Sequence, residues 1–205
     1  NQHVLKWLAE RCAGQGLVEP TLMVFLAMTE HQLRLTRGFA PPNGEGSERR
    51  RLYAECVLWP DYRSLNKIWI SHLKPHLEEV AQPLLSALVL RLEEMHRKLM
   101  VWDSASREWD QISLWRLAIE PHVQNRSRSA TNVLLDAVRD ALEWLAVDSP
   151  VLLDTWVERL VTSDVPVLRR LAVHAITLHP QRSPEERLRW LLDRVGLYGF
   201  AEHHE

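Results

Sequence analysis

Residues 149–186 read SPVLLDTWVERLVTSDVPVLRRLAVHAITLHPQRSPEE, and the punctuation in that stretch decides the fold. Ser149-Pro150 joins a helix-capping side chain to the residue whose missing N–H is harmless in a first helical turn, predicting a helix to about Val161. Asp164 is placed to cap a second, from Val165 to Leu178, and Ser183 and Glu186 have the spacing of a capping box that opens a third. Just upstream, Val133, Leu134, Ala137, Ala141, Leu142 and Leu145 recur at helical intervals and predict a helix from about Ala130 to Ala146. Helices joined by so few residues must fold back on one another, as two antiparallel pairs. Leu153 to Val161 can be laid over Leu188 to Val195, which sets Trp156 and Trp190 about 34 residues apart. A period of that size suits stacked helix pairs, none of which buries its apolar face alone.

Towards the N-terminus the same apolar spacing continues without clear repetition. A helix is expected over Gln2 to Ala13, ended by Gly14-Gln15-Gly16, and a second over Thr21 to Arg37 that buries Leu22, Phe25, Leu26 and Leu33. Residues 38–51, GFAPPNGEGSERRR, carry the composition of a flexible loop or linker. A short helix over Leu52 to Leu58 is expected before Trp59-Pro60, then one from Tyr62 to Leu73 capped by Asp61. The longest helix is expected from His76 to Val101, with Pro83 marking a kink or a boundary. Trp102 to Gln111 reads as a connection, Ile112 to Ile119 as a helix, and Pro121 to Ser129 as a loop. No period-2 run stands out, so strand content near zero is expected. The divisions that follow are 1–37, a helical hairpin; 38–60, a loop or linker; 61–128, a long-helix region; and 129–205, the helix pairs.

The 205 residues suffice to bury about 70% of the unfolded surface, and with 46% hydrophobic and 25% charged residues a disordered chain is excluded. A net charge of −2 with interspersed signs offers no field for a polyanion. Cys12 and Cys56 form no CxxC, no secretory signal is legible, and no apolar run approaches the roughly 20 residues of a membrane span. A cytoplasmic location away from any membrane is expected. The absence of an initial Met and the amphipathic start read as a segment excised from a larger protein.

Chemistry is sparse. His72 and His76 are four apart with Glu79 nearby, but Pro75 breaks the helix that would align them and no third ligand is fixed by spacing. His174 lies among Leu171, Val173 and Ile176, and His179 near a helix end, where a histidine complements the macrodipole. There is no GxSxG, and Gly14-Gln15-Gly16 and Asn43-Gly44-Glu45-Gly46 lack the Lys-Ser/Thr of a phosphate cradle. Neither catalytic nor metal-binding residues are assigned, and no cofactor is implied. Two features point to partners. Arg49, Arg50 and Arg51, with Arg126 and Arg128, suit a phosphate or an acidic partner. Of nine tryptophans, Trp7, Trp69, Trp115, Trp144, Trp156 and Trp190 fall in expected helices and read as core. Trp59, Trp102 and Trp109 lie at ends or loops and read as partner contacts.

Asp164-Val165-Pro166-Val167-Leu168-Arg169-Arg170-Leu171-Ala172-Val173-His174-Ala175-Ile176 resembles the second-helix region of HEAT-type repeats. The resemblance implies that Arg169 or Arg170 pairs with Asp164 or a neighbouring repeat, and that Ala172 and Ala175 permit close helix approach. Residues before about 130 depart from a regular repeat. The stretch from Leu65 onward, in Leu117-Ala118-Ile119-Glu120-Pro121-His122, Leu168 to Ala175 and Leu197-Tyr198, is also similar to helical C-terminal regions of large bacterial proteins with NTPase or sirtuin-like modules, some of them in anti-phage defence. This implies a sensor, scaffold or oligomerisation segment. The expected fold is thus all-α, an irregular α-solenoid of antiparallel helix pairs, HEAT-like toward the C-terminus. The expected role is a non-catalytic interaction domain binding protein or other modules of its parent chain. The alternatives are a nucleic-acid-binding segment, in which Arg169 and Arg170 join the loop arginines, and a hydrolase with metal at His72, His76 and Glu79.

Overall fold

A computed structural model of the chain describes residues 2–37, 52–122, 125 and 129–194. Helix α1 (Gln2–Gly14) closes through Gly16, whose φ of +71° admits the left-handed turn that returns the Leu17 N–H to the Cys12 carbonyl at 3.0 Å. Helix α2 (Val18–Met28) takes Pro20 in its first turn and packs on α1, burying Leu22, Phe25 and Met28.

The expected continuation of this helix to Arg37 is corrected. The chain leaves α2 at Thr29, whose hydroxyl donates to the Leu26 carbonyl at 2.7 Å, and enters strand β1 (His31–Arg37). Its antiparallel partner is β2 (Leu52–Leu58), where a short helix was expected, with His31 opposite Leu58 and Arg37 opposite Leu52. Alternation is visible but incomplete: His31, Ala54 and Leu58 are buried and Leu33 half-buried, with Gln32 and Arg34 exposed, while Leu35 on the inward face is exposed and Glu55, Cys56 and Val57 are all half-buried. A lone hairpin is marginal in water; this one is supported by packing of β2 on the helices Leu77–Met100 and Ala130–Asp148, and by the Ala54 N–H donating to Ser104 Oγ at 3.1 Å.

Asp61 caps α3 (Tyr62–Ile68) as expected, its carboxylate accepting from the Ser64 N–H at 2.9 Å and from the Ser64 hydroxyl at 2.8 Å. The helix then widens into a π turn over Trp69–Leu73 and tightens into a 3₁₀ turn over Lys74–His76. Helix α4 (Leu77–Met100) runs unbroken through Pro83, whose ring is on the exposed side while Val80, Leu84, Leu88, Leu92, Met95 and Leu99 are buried. Helix α5 (Gln111–Trp115) is shorter than expected, and 116–122 is irregular.

Helix α6 (Ala130–Asp148) packs against α3, α4 and β2, and against α7 (Pro150–Val161) and α8 (Pro166–Thr177). Accordingly Val133, Leu134, Leu135, Ala137, Val138, Ala141, Leu142 and Leu145 are all buried, and so are Asn132, Arg139 and Asp140 on the remaining face, so the helix is buried on nearly every side. Helix α9 (Pro184–Arg194) opens with the expected capping box: the Ser183 N–H donates to Glu186 at 2.7 Å and the Glu186 N–H to Ser183 Oγ at 3.2 Å. Asp164, by contrast, does not cap α8. Val165 holds that position, its N–H donates to Ser163 Oγ at 3.2 Å, and Asp164 instead pairs with Arg107 at 2.9 Å.

One apolar cluster runs from Ala9 through α4 and α6 to Trp190. Among the described residues the fold is mostly helical with a single two-stranded sheet, and no helix is long and apolar enough to cross a membrane.

Candidate functional site

Asp110, Gln111, Ile112 and Ser113 reproduce the cap seen at Asp61–Ser64. The Asp110 carboxylate accepts from the Ser113 N–H at 2.6 Å and from the Ser113 hydroxyl at 2.8 Å. Each cap lies just beyond a tryptophan, Trp59 or Trp109. Trp59 is 55% exposed and Trp109 39%.

Trp102 (42% exposed) shares the Trp109 corner. The chain reverses there through Asp103, at φ 51°, and through the Ser106 N–H donating to the Trp109 carbonyl at 2.7 Å, with Ala105 bridged to Asp110. Met100 and Val101 are exposed beside them. Ser104 ties this corner to Ala54 on β2; Trp59 follows Leu58, about 13 Å further along the strand at roughly 3.3 Å per residue. Trp102 and Trp109 therefore flank one chain reversal, and Trp59 stands at the far end of β2. Arg49, Arg50, Arg51, Arg126 and Arg128 lie outside the described residues.

The assignment of the helical tryptophans to the core holds for Trp69, Trp156 and Trp190, and Trp144 is half-buried. It is corrected for Trp7 (58% exposed) and Trp115 (61%). Trp7 lies on the outer face of α1, with the Arg11 guanidinium 5.6 Å over its ring, and α1 packs inward through Ala9 instead. Trp115 ends a five-residue helix too short to turn every apolar side chain inward, and Leu114 and Leu117 are exposed with it. The repeated Asp-x-x-Ser was the available signal that α5 starts at Gln111 and that Trp109 marks a corner.

A cavity of about 300 Å³ lies beside Trp115, lined also by Glu55, Cys56, Ile112, Thr131 and Asn132. Burial pushes the Cys56 thiol up to about 11, so it is protonated at neutral pH and unsuited to nucleophilic attack. His76 pairs with Glu79 at 3.5 Å on exposed surface, and among the described residues no three His, Cys, Asp or Glu side chains are grouped to hold a metal.

The strongest electrostatics are internal. Asp140, buried on α6, accepts from the Trp69 indole N–H at 3.1 Å, from Lys74 at 2.8 Å and from Arg139 at 2.6 Å. Arg139 also reaches Asp136 at 2.8 Å and the Ile119 carbonyl at 3.2 Å, and Arg116 reaches the same two acceptors at 2.7 and 2.9 Å. Arg170 donates to the carbonyls of Ser113, Arg116 and Leu117 at 3.1, 2.6 and 2.8 Å, and Arg169 to those of Ser163 and Arg107. Arg116, Arg139 and Arg170 supply, for carbonyls in α5 and in the irregular stretch to Ile119, hydrogen-bond partners that a continuous helix would supply itself. His174 completes the set, with Nδ1 3.0 Å from Glu120 and Nε2 2.9 Å from Glu143. Asp164, one of the two partners the HEAT resemblance offered Arg169 or Arg170, pairs with Arg107 instead, and Ala172 and Ala175 are buried. Comparison with protein-family models, with curated proteins and with solved structures finds no match to this chain.

Proposed function

We propose that this chain is a non-catalytic helical interaction or scaffold domain of a larger bacterial intracellular protein. In this reading it is an irregular array of helix pairs that binds a protein partner, or another module of its parent, through the corner at Trp102 and Trp109. The observation that carries the reading is the exposure of those two indoles at one braced turn. A rigid, half-exposed tryptophan pair offers large apolar area at little cost in side-chain entropy, the usual composition of an interface hot spot. The braces support the same reading: Asp110, Ser104 and Ser106 hold the turn whether or not anything is bound. The nucleic-acid alternative is disfavoured by Arg169 and Arg170, whose guanidinium groups are spent on backbone carbonyls.

Photocrosslinking in cells that express the full parent protein tests the proposal. A photoreactive residue replaces Trp102 or Trp109 in turn, with exposed Glu78 on α4 as the control position. Protein adducts are expected at both tryptophan positions in clear excess over the control. Yields equal to the control, or adducts mainly to nucleic acid, would overturn the reading.

A further inference from the structure

The ring of His174 is buried between two carboxylates carried by different elements, Glu143 on α6 and Glu120 in the irregular segment 116–122. A neutral imidazole has one N–H and one lone pair, so it can donate to only one of them; two carboxylates at 3.0 and 2.9 Å require two N–H groups and hence the imidazolium. The other charged groups around the clasp differ in what they hold. Arg139 on α6 lies 3.5 Å from Glu143 and keeps that carboxylate in place. Arg170, one turn earlier on α8, fixes the Leu117 carbonyl, and Arg116 and Arg139 fix that of Ile119. Beyond Ile119, the holds on the segment include His174 on the Glu120 side chain, the Asn125 side-chain amide on the Glu120 carbonyl at 2.9 Å and the Asn125 backbone N–H on the His122 carbonyl at 3.0 Å.

We propose that Glu120, His174 and Glu143 form a proton-dependent latch, which fastens Glu120 to the helical body when both ring nitrogens are protonated and loosens it when one proton leaves. With a neutral ring, one carboxylate faces a nitrogen lone pair at hydrogen-bond distance. Glu120, on the outer segment and 62% exposed, is free to turn to water, whereas Glu143 is retained by Arg139. Burial opposes protonation of His174 and is the largest single influence, but the hydrogen bonds and charges of Glu143 and Glu120 together outweigh it and raise the pKa above 6.5. Glu120 is held below the ordinary carboxylate range, first by its own backbone N–H, against the opposing effect of burial, and then by His174. The folded pKa of the histidine is the higher one. The latch is therefore fully closed below the ordinary histidine value of 6.5 and opens as pH rises through the raised folded value.

Two measurements on the whole chain test this. NMR titration of the His174 ring is expected to give a midpoint above 6.5; a midpoint below it overturns the proposal. Hydrogen exchange of the 117–122 peptide, corrected for the intrinsic base-catalysed rate, is expected to lose protection as pH is raised from 6.5 through the alkaline range, by at most about tenfold per pH unit for one proton. This loss is expected to vanish in His174→Gln, which separates the latch from the neighbouring His122, and to shift to lower pH in Glu143→Gln should the first variant fold poorly. Protection that stays constant across this range in the unaltered chain, or the same pH dependence in either variant, overturns it.

Discussion

Replacing Asp140 by alanine is the sharpest single perturbation of this fold. The carboxylate is buried, with 2% of its side-chain surface accessible, and joins three elements: Trp69 in the π turn, Lys74 in the 3₁₀ turn and Arg139 on its own helix. Removing one partner of a buried ion pair costs about 3–5 kcal/mol, because the other charge stays behind without compensation. Arg139 keeps Asp136 and the Ile119 carbonyl, and Lys74 is 43% exposed and can turn to water, which moves the cost to the lower end of that range. The Trp69 indole N–H has no such escape. Its ring is fully buried against Phe25, with centroids 6.1 Å apart, and an unsatisfied buried donor costs about 1–3 kcal/mol. These effects share partners and do not add, so Asp140→Ala is expected to cost about 4 kcal/mol, or roughly 10 °C in Tm for a chain of this size. Urea denaturation followed by far-ultraviolet circular dichroism measures it. A loss below about 1 kcal/mol would refute the reasoning and show the network to be surplus to α6.

Two further expectations concern buried titratable groups. His31 faces inward from β1 with neither ring nitrogen hydrogen-bonded among the described residues, and burial, aided by Lys98, lowers its pKa to about 4. The unfolded state therefore takes up a proton that the folded state refuses. Stability is expected to fall as pH drops from about 6.5 to about 4, by roughly 3 kcal/mol at about 1.4 kcal/mol per unit, and His31→Gln is expected to flatten that profile in acid titration. Cys56, with its thiol pushed up to about 11, is expected to alkylate at pH 8 at least about tenfold more slowly than an unhindered thiol of ordinary pKa near 8.5, with mass spectrometry as the readout.

The helices were legible wherever caps and apolar spacing agreed, as at Asp61, at Ser183 with Glu186, and along Val133 to Leu145. The hairpin was not. His31 to Arg37 continues the apolar count of α2 closely enough to pass for another two turns, and its partner lies across a 14-residue gap, far longer than the two-residue turns that announce hairpins. Pro83 suggested a break that α4 does not make, because its ring is exposed, where the lost hydrogen bond leaves a carbonyl open to water. The tryptophans were sorted by the element each falls in, a rule that fails for Trp7 and Trp115 because a helix has two sides and α5 only five residues. The charge network was beyond reach of the sequence, since its partners are up to 71 residues apart and only the folded chain sets them side by side.

Helix α6 has a consequence for how the chain is made. The inner faces of α3 and α4 rest on it, and it begins at Ala130. During synthesis, residues 62–100 leave the ribosome while the apolar face of α4 that meets α6, and the Trp69 N–H, still lack their partner there. Local helices form early, but the native core closes only after Asp148 has emerged, and until then that apolar stripe is what a chaperone, or a neighbouring nascent chain, meets first.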